Sequence, residues 1–198
     1  MALDRQRIVE EAVALLDDDG LDGLTLRKLA KRLDVQAPTL YWHVPNKAAL
    51  ITAVADVILD QGFGDMAPPA PGERWQDWLT EVAIRLRRAL LDHRDSARVI
   101  SFAQLSRRMT AISELAMSSL VDCGVPLRDA RIIVLTVERF TVGHVLEEQA
   151  PRPDAESVDM AAYASAYPTV IAAVTEYFKP GRTVDDLFED CLATILDR

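Results

Sequence analysis

Between Thr25 and Lys47 the sequence leaves room for two helices and allows neither of them to be long. Thr25 can accept from the free N–H groups of a helix start, and Leu26, Leu29, Ala30 and Leu33 then mark one apolar stripe of about two turns. Asp34 tolerates the left-handed backbone of a tight turn. Pro38 stands where the next helix begins, its missing N–H costing nothing there, and Val44-Pro45 forces extended geometry a few residues later. Asn46 caps a further helix to about Gln61. Upstream, Ile8, Val9, Ala12, Val13 and Leu16 recur at helical spacing and predict a helix over 4–19, stopped by Gly20. Its end carries Asp17, Asp18 and Asp19, which the helix dipole disfavours there, and the sequence offers no reason for them beyond solubility.

Two short helices at a tight turn, braced by flanking helices, make the geometry of a DNA reader. The net charge of −9 argues against that, because phosphates are held by Lys and Arg. The local balance reverses the sign: Arg27, Lys28, Lys31, Arg32 and Lys47 face Asp34 alone over residues 24–47. The second short helix, predicted over Ala37–His43, offers Gln36, Ala37, Pro38, Thr39, Tyr41 and His43 outward, with Leu40 inward and Trp42 assigned to packing. Lys47 opens the following helix, where an ammonium and backbone N–H groups together suit a phosphate.

Gly62, Gly64, Pro68, Pro69, Pro71 and Gly72 mark the clearest boundary, dividing a domain over 1–62 from one over 73–198. Helices are predicted near 73–92, 95–103, 106–123, 127–149, 156–178 and 184–197, so the fold class is all-α. The last carries the cleanest stripe, Val184, Leu187, Phe188, Cys191, Leu192, Ile195 and Leu196, capped by Thr183 with Asp186. Such a helix seals its own core or meets a second copy. Cys123 and Cys191 are too far apart in sequence to suggest a disulfide framework or a zinc site. The charged start lacks the apolar core of a signal peptide, and the uncharged run over 160–175 is short for a membrane span and holds Pro168, so a cytoplasmic chain is expected.

The stretch GLDGLTLRKLAKRLDVQAPTLYWHVPNKAAL resembles the DNA-binding domain of the tetracycline-repressor (TetR) family, and GERWQDWL, RRALLDHRD, GVPLRDA and FTVGHVLEEQ resemble its core domain. The resemblance implies an N-terminal helix-turn-helix three-helix domain and a C-terminal helical ligand-binding and dimerisation domain. It implies that Thr25, Arg27, Pro38, Thr39, Tyr41, His43 and Lys47 contact double-stranded operator DNA, with Lys28, Gln36 and Ala37 added from the local charge and helix face. A base-reading glutamine of the family is Ala37 here, whose methyl can still meet a thymine methyl. It also implies a homodimer built on the helices over 127–149 and 184–197, which releases DNA when a small-molecule effector binds.

The tetracycline repressors hold a drug–magnesium complex. Their metal-binding histidine falls on Ile100 here and a neighbouring threonine on Ala103, while three drug-binding polar positions fall near Phe63, Val82 and Ala116. Of that polar set Glu147 is retained. Isoleucine cannot ligate a hard cation, so neither cofactor nor metal is expected, and the cavity suits an apolar or aromatic effector. Leu86, Val134, Phe140 and Glu138 are further candidates for its lining, although Ile100, Val82 and Leu86 read equally as plain core and Glu138 as a partner of Arg139. His144, Glu147 and Glu148 have metal-like spacing but no partner cluster. An enzyme lacks a nucleophile–base order or phosphate loop to stand on. A DNA-binding helical protein without a small-molecule switch remains the rival.

Overall fold

The computed structural model describes residues 3–103, 105–151 and 159–197, and these hold eleven helices and no strand. Met1–Gln149 and Ala150–Arg198 are two compact units. The Gly- and Pro-rich stretch over 62–72 is therefore a connection inside the first unit.

α1 (Arg5–Gly23) buries Ile8, Ala12 and Leu16 completely. The predicted stop at Gly20 is a kink: with φ 71° and ψ 176° the backbone leaves the helix and then adds another turn. α2 (Leu26–Arg32) opens on Thr25, whose hydroxyl accepts from Lys28 N–H at 3.2 Å. Asp34 takes the left-handed conformation expected of it, with φ 53°. α3 (Ala37–Tyr41) stops two residues short of His43, because the N–H groups of His43 and Val44 both fold back to the Leu40 carbonyl. Leu40 and Val44 are buried and pin this short helix.

α4 (Lys47–Phe63) is capped by Asn46, which accepts from Ala49 N–H at 2.8 Å. It runs through Gly62, where the sequence suggests a break. Glycine is needed there for a different reason: a Cβ would lie 2.8 Å from that of Ala89 on α5 (Trp75–Leu91). α6 (Ser96–Phe102), α7 (Arg107–Asp122) and α8 (Leu127–Glu148) complete the first unit. α4 packs against α1, α5, α6 and α7, and α8 against α5, α6 and α7. The head and the core thus share one helix. Ser106 fixes its contact with α7: the hydroxyl accepts from Met109 N–H at 3.0 Å, capping α7, and donates to Asp56 of α4 at 2.6 Å. Ser106→Ala is expected to cost about 1 kcal/mol, read as a fall in Tm of roughly 2–4 °C by calorimetry.

The acidic end of α1 finds its partners at the corner between α5 and α6. Asp17 lies 3.0 Å from His93 Nδ1 and accepts from Arg94 N–H at 3.1 Å, while His93 Nε2 lies 2.8 Å from Gln61 Oε1 of α4. Asp95 sits before α6 with φ 56° and caps nothing there. Its carboxylate accepts instead from Leu21 N–H at 2.8 Å, closing the kink of α1. Arg98 pairs with Asp22 at 3.0 Å, holding that carboxyl below its ordinary range. From α8, Gln149 donates to the carbonyls of Leu90 and His93 at 3.0 and 2.7 Å, holding the same corner from the other side.

In the second unit the single helix expected over 156–178 is two, α9 (Met160–Ala166) and α10 (Pro168–Tyr177). Pro168 forces the break by excluding Tyr167, at φ −129° and ψ 57°, from helical geometry. The expected start at 156 and the break at Pro153 lie outside the described residues. α11 (Val184–Leu196) carries the expected capping box between Thr183 and Asp186. Phe188, Leu192 and Leu196 are buried, Leu187, Cys191 and Ile195 half-buried, and Val184 is exposed. Among the described residues no helix is long and apolar enough to cross a membrane.

Candidate DNA-reading face and effector cavity

The ten residues expected to meet DNA all lie at the surface of the head. Arg27, Lys28, Gln36, Pro38, Tyr41 and Lys47 are exposed, and Thr25, Ala37, Thr39 and His43 are half-buried. Thr25, Arg27, Lys28, Gln36 and Ala37 line one concave surface with Lys31. Their charges are not equally available. Lys28 pairs with Asp19 at 2.8 Å, and Arg32 with Glu11 and Asp18 at 2.5 Å each. The hydrogen bond and charge of Lys28 hold Asp19 below the usual carboxylate range. Among the described residues Arg27, Lys31 and Lys47 hold no ion pair, and the Lys47 ammonium donates to the Leu21 carbonyl at 3.4 Å.

Trp42 corrects the sequence reading. Far from packing, its side chain is 89% exposed, next to a Tyr41 that is 52% exposed. Two adjacent aromatic side chains in water on a charged face are a costly surface unless something covers them.

On the core, a cavity of about 740 Å³ opens between α6, α7 and α8. Ile100, Val134 and Glu138, all expected to line it, do so together with Ala103, Met109, Ser113, Met117, Leu135 and Leu146. Behind it lies a void of about 30 Å³ walled by Val82, Leu86, Ala116, Val134 and Glu138, again expected residues, and by Leu79, Ile112 and Val137. Phe63, Phe140 and Glu147 line neither: Phe63 is buried with its carbonyl accepting from Arg108, Phe140 lies with its ring 5.7 Å from that of His144, and Glu147 is exposed. The α7 wall, Met109, Ser113 and Met117, escaped the sequence, although its i, i+4 spacing is the signal of one helix face.

Glu138 is half-buried, and burial pushes its carboxyl above the ordinary glutamate range against the opposing pull of Arg139 and a hydrogen bond with Ser113. An acid whose folded pKa is raised adds stability below its ordinary pKa that is lost as pH rises through the folded value. Ile100 and Ala103 offer no side-chain donor to a hard cation, and Glu148 is held by Arg87 at 2.6 Å.

Comparison with known proteins gives a family match over each part of the chain. Residues 8–54 match the family model "Bacterial regulatory proteins, tetR family" and residues 68–197 match "Tetracyclin repressor-like, C-terminal domain". The tetracycline repressor protein class A from transposon 1721 of Escherichia coli is 37% identical over 191 residues, 96% of this chain and 87% of that protein. A single-residue variant of TetR from Acinetobacter baumannii AYE in complex with minocycline superposes with a TM-score of 0.75 at 30% identity, covering 99% of this chain and 96% of that one. BioQ with its double-stranded DNA operator does so with a TM-score of 0.67 at 30% identity, covering 87% and 99%. With both of its halves matched, the chain belongs to the TetR family of helix-turn-helix transcriptional regulators.

Proposed function

We propose that this protein is a cytoplasmic repressor that binds a palindromic operator as a homodimer and releases it when a small molecule fills the cavity between α6, α7 and α8. It performs no chemistry on that molecule. The observation that carries this reading is the placement of α4: it follows directly from α3 and packs against α6 and α7, two walls of the cavity. A ligand that favours one packing of α6 and α7 therefore biases the attitude of the reading face. The relatives that hold minocycline and operator DNA support both halves of the proposal. For DNA, Arg27, Lys31 and Lys47 would hold phosphates, while Gln36, Ala37, Pro38, Thr39, Tyr41 and His43 would meet base edges and sugars. Trp42 joins them, its indole N–H a donor for a phosphate oxygen. On α8, Leu127 and Ile132 are exposed, and a second copy would cover them.

Selection from a random double-stranded DNA library tests the reading. The expected product is an inverted repeat with half-sites one helical turn apart, about 34 Å. If no sequence is retained at least tenfold (about 1.4 kcal/mol) above bulk DNA, the proposal fails.

A further inference from the structure

We infer that the effector is an amphiphile with an apolar or aromatic frame and one protonated nitrogen, and that Glu138 receives the nitrogen. This rests on the cavity between α6, α7 and α8 being the effector site.

Glu138, Ser113, Met109 and Val134 line both the outer cavity and the void behind it, so they form the partition between the two. The rest of the void is apolar, which makes Glu138 the one ionisable residue of its wall among the described residues. Three other charged residues line the outer cavity, Glu114, Arg131 and Arg139, and all three are exposed. Exposed charges are hydrated and screened, so they set little of the field inside. The half-buried carboxylate sets most of it.

Burial lifts the Glu138 carboxyl, which means that the Ser113 hydroxyl and Arg139 together do not replace the water it has lost. A carboxylate in that condition gains from a cation brought to it. The surrounding wall of Ile100, Ala103, Met117 and Leu135 cannot supply one but can take an apolar frame, and Met109 and Met117 adapt their shape to it. An anionic ligand would meet repulsion at the partition. A neutral ligand would leave the carboxylate as poorly compensated as before.

Three probes of one shape test the assignment on the full chain: 1-naphthylmethylamine, 1-naphthylmethanol and 1-naphthoate, titrated calorimetrically near neutral pH. The amine is expected to bind at least tenfold more tightly than the alcohol, with the naphthoate weakest. In Glu138→Gln the amine is expected to fall within about twofold of the alcohol, while Tm stays level or rises because the buried charge is gone. Equal binding of alcohol and amine by the wild type, tighter binding of the naphthoate, or no binding of any probe overturns the inference, and none of these results depends on a variant. So does a Glu138→Gln protein that keeps the preference. Tight amine binding that leaves operator DNA bound supports the assignment of Glu138 and sinks the ligand-released repressor instead.

Discussion

Gly20→Ala is expected to remove about 3 kcal/mol of stability, more than any surface change in the head. Two costs add. At φ 71° and ψ 176° the backbone occupies a region almost reserved for glycine, worth on the order of 1–3 kcal/mol for an L side chain. The new Cβ would also stand 2.7 Å from Asp95 Oδ2 and 3.3 Å from Arg94 Nε, so the corner holding α1 must open. Opening it breaks the 2.8 Å hydrogen bond from Leu21 N–H to Asp95. Urea unfolding measures the loss, and a change under about 0.5 kcal/mol, the range of an indifferent surface site, would show that the kink is held by something else. A double-mutant cycle separates the two costs. Asp95→Ala alone strands Leu21 N–H, yet in the Gly20→Ala background it also removes the clash, so the double variant is expected to lose less than the two single losses combined.

Operator binding should respond as strongly to Tyr41→Ala, with the opposite stability signature. A side chain that reads a base edge is worth about 1–3 kcal/mol, which is roughly a five- to 150-fold loss of affinity in a gel-shift titration. Because Tyr41 is 52% exposed, Tm is expected to stay within about a degree of wild type. Trp42→Ala gives a second decision. A packed tryptophan would cost roughly 3–5 kcal/mol on truncation, whereas at 89% exposure its loss is expected to leave stability alone and weaken DNA binding. A large fall in Tm for either variant would return that ring to the core and remove it from the reading face.

The local grammar of the head was legible because it is written in single residues. Thr25 and Asn46 cap a helix with a side-chain oxygen, Asp34, Pro38 and the Val44-Pro45 pair act on their local backbone, and each does in the fold what its chemistry suggests. Trp42 was misread because a large aromatic in a helical stretch defaults to packing, and the burial of Leu40 and Val44 on either side leaves the indole no inward direction. The acidic end of α1 had no visible reason, since Asp17 meets His93 and Leu21 meets Asp95 across more than seventy residues of chain. The cavity was half legible. Resemblance located Ile100, Val82 and Ala116 by the polar groups they replace, but it had nothing to say about Met109, Ser113 and Met117. One helix was expected through Pro168, although proline chemistry favours the break that the fold displays.

The pairing of Lys28 with Asp19 and of Arg32 with Glu11 and Asp18 reaches beyond the fold of the head. A cation already neutralised by its own protein displaces few condensed ions when it reaches a duplex, because it must exchange one anionic partner for another. Each free cation that docks on a phosphate steepens the dependence of log K on log salt by about 0.9. Of the five basic residues over 24–47, the three without such partners, Arg27, Lys31 and Lys47, would therefore set most of that slope. Indiscriminate adhesion to the chromosome is weakened by the same arrangement, and the competition for the true site is decided by base edges more than by bulk charge.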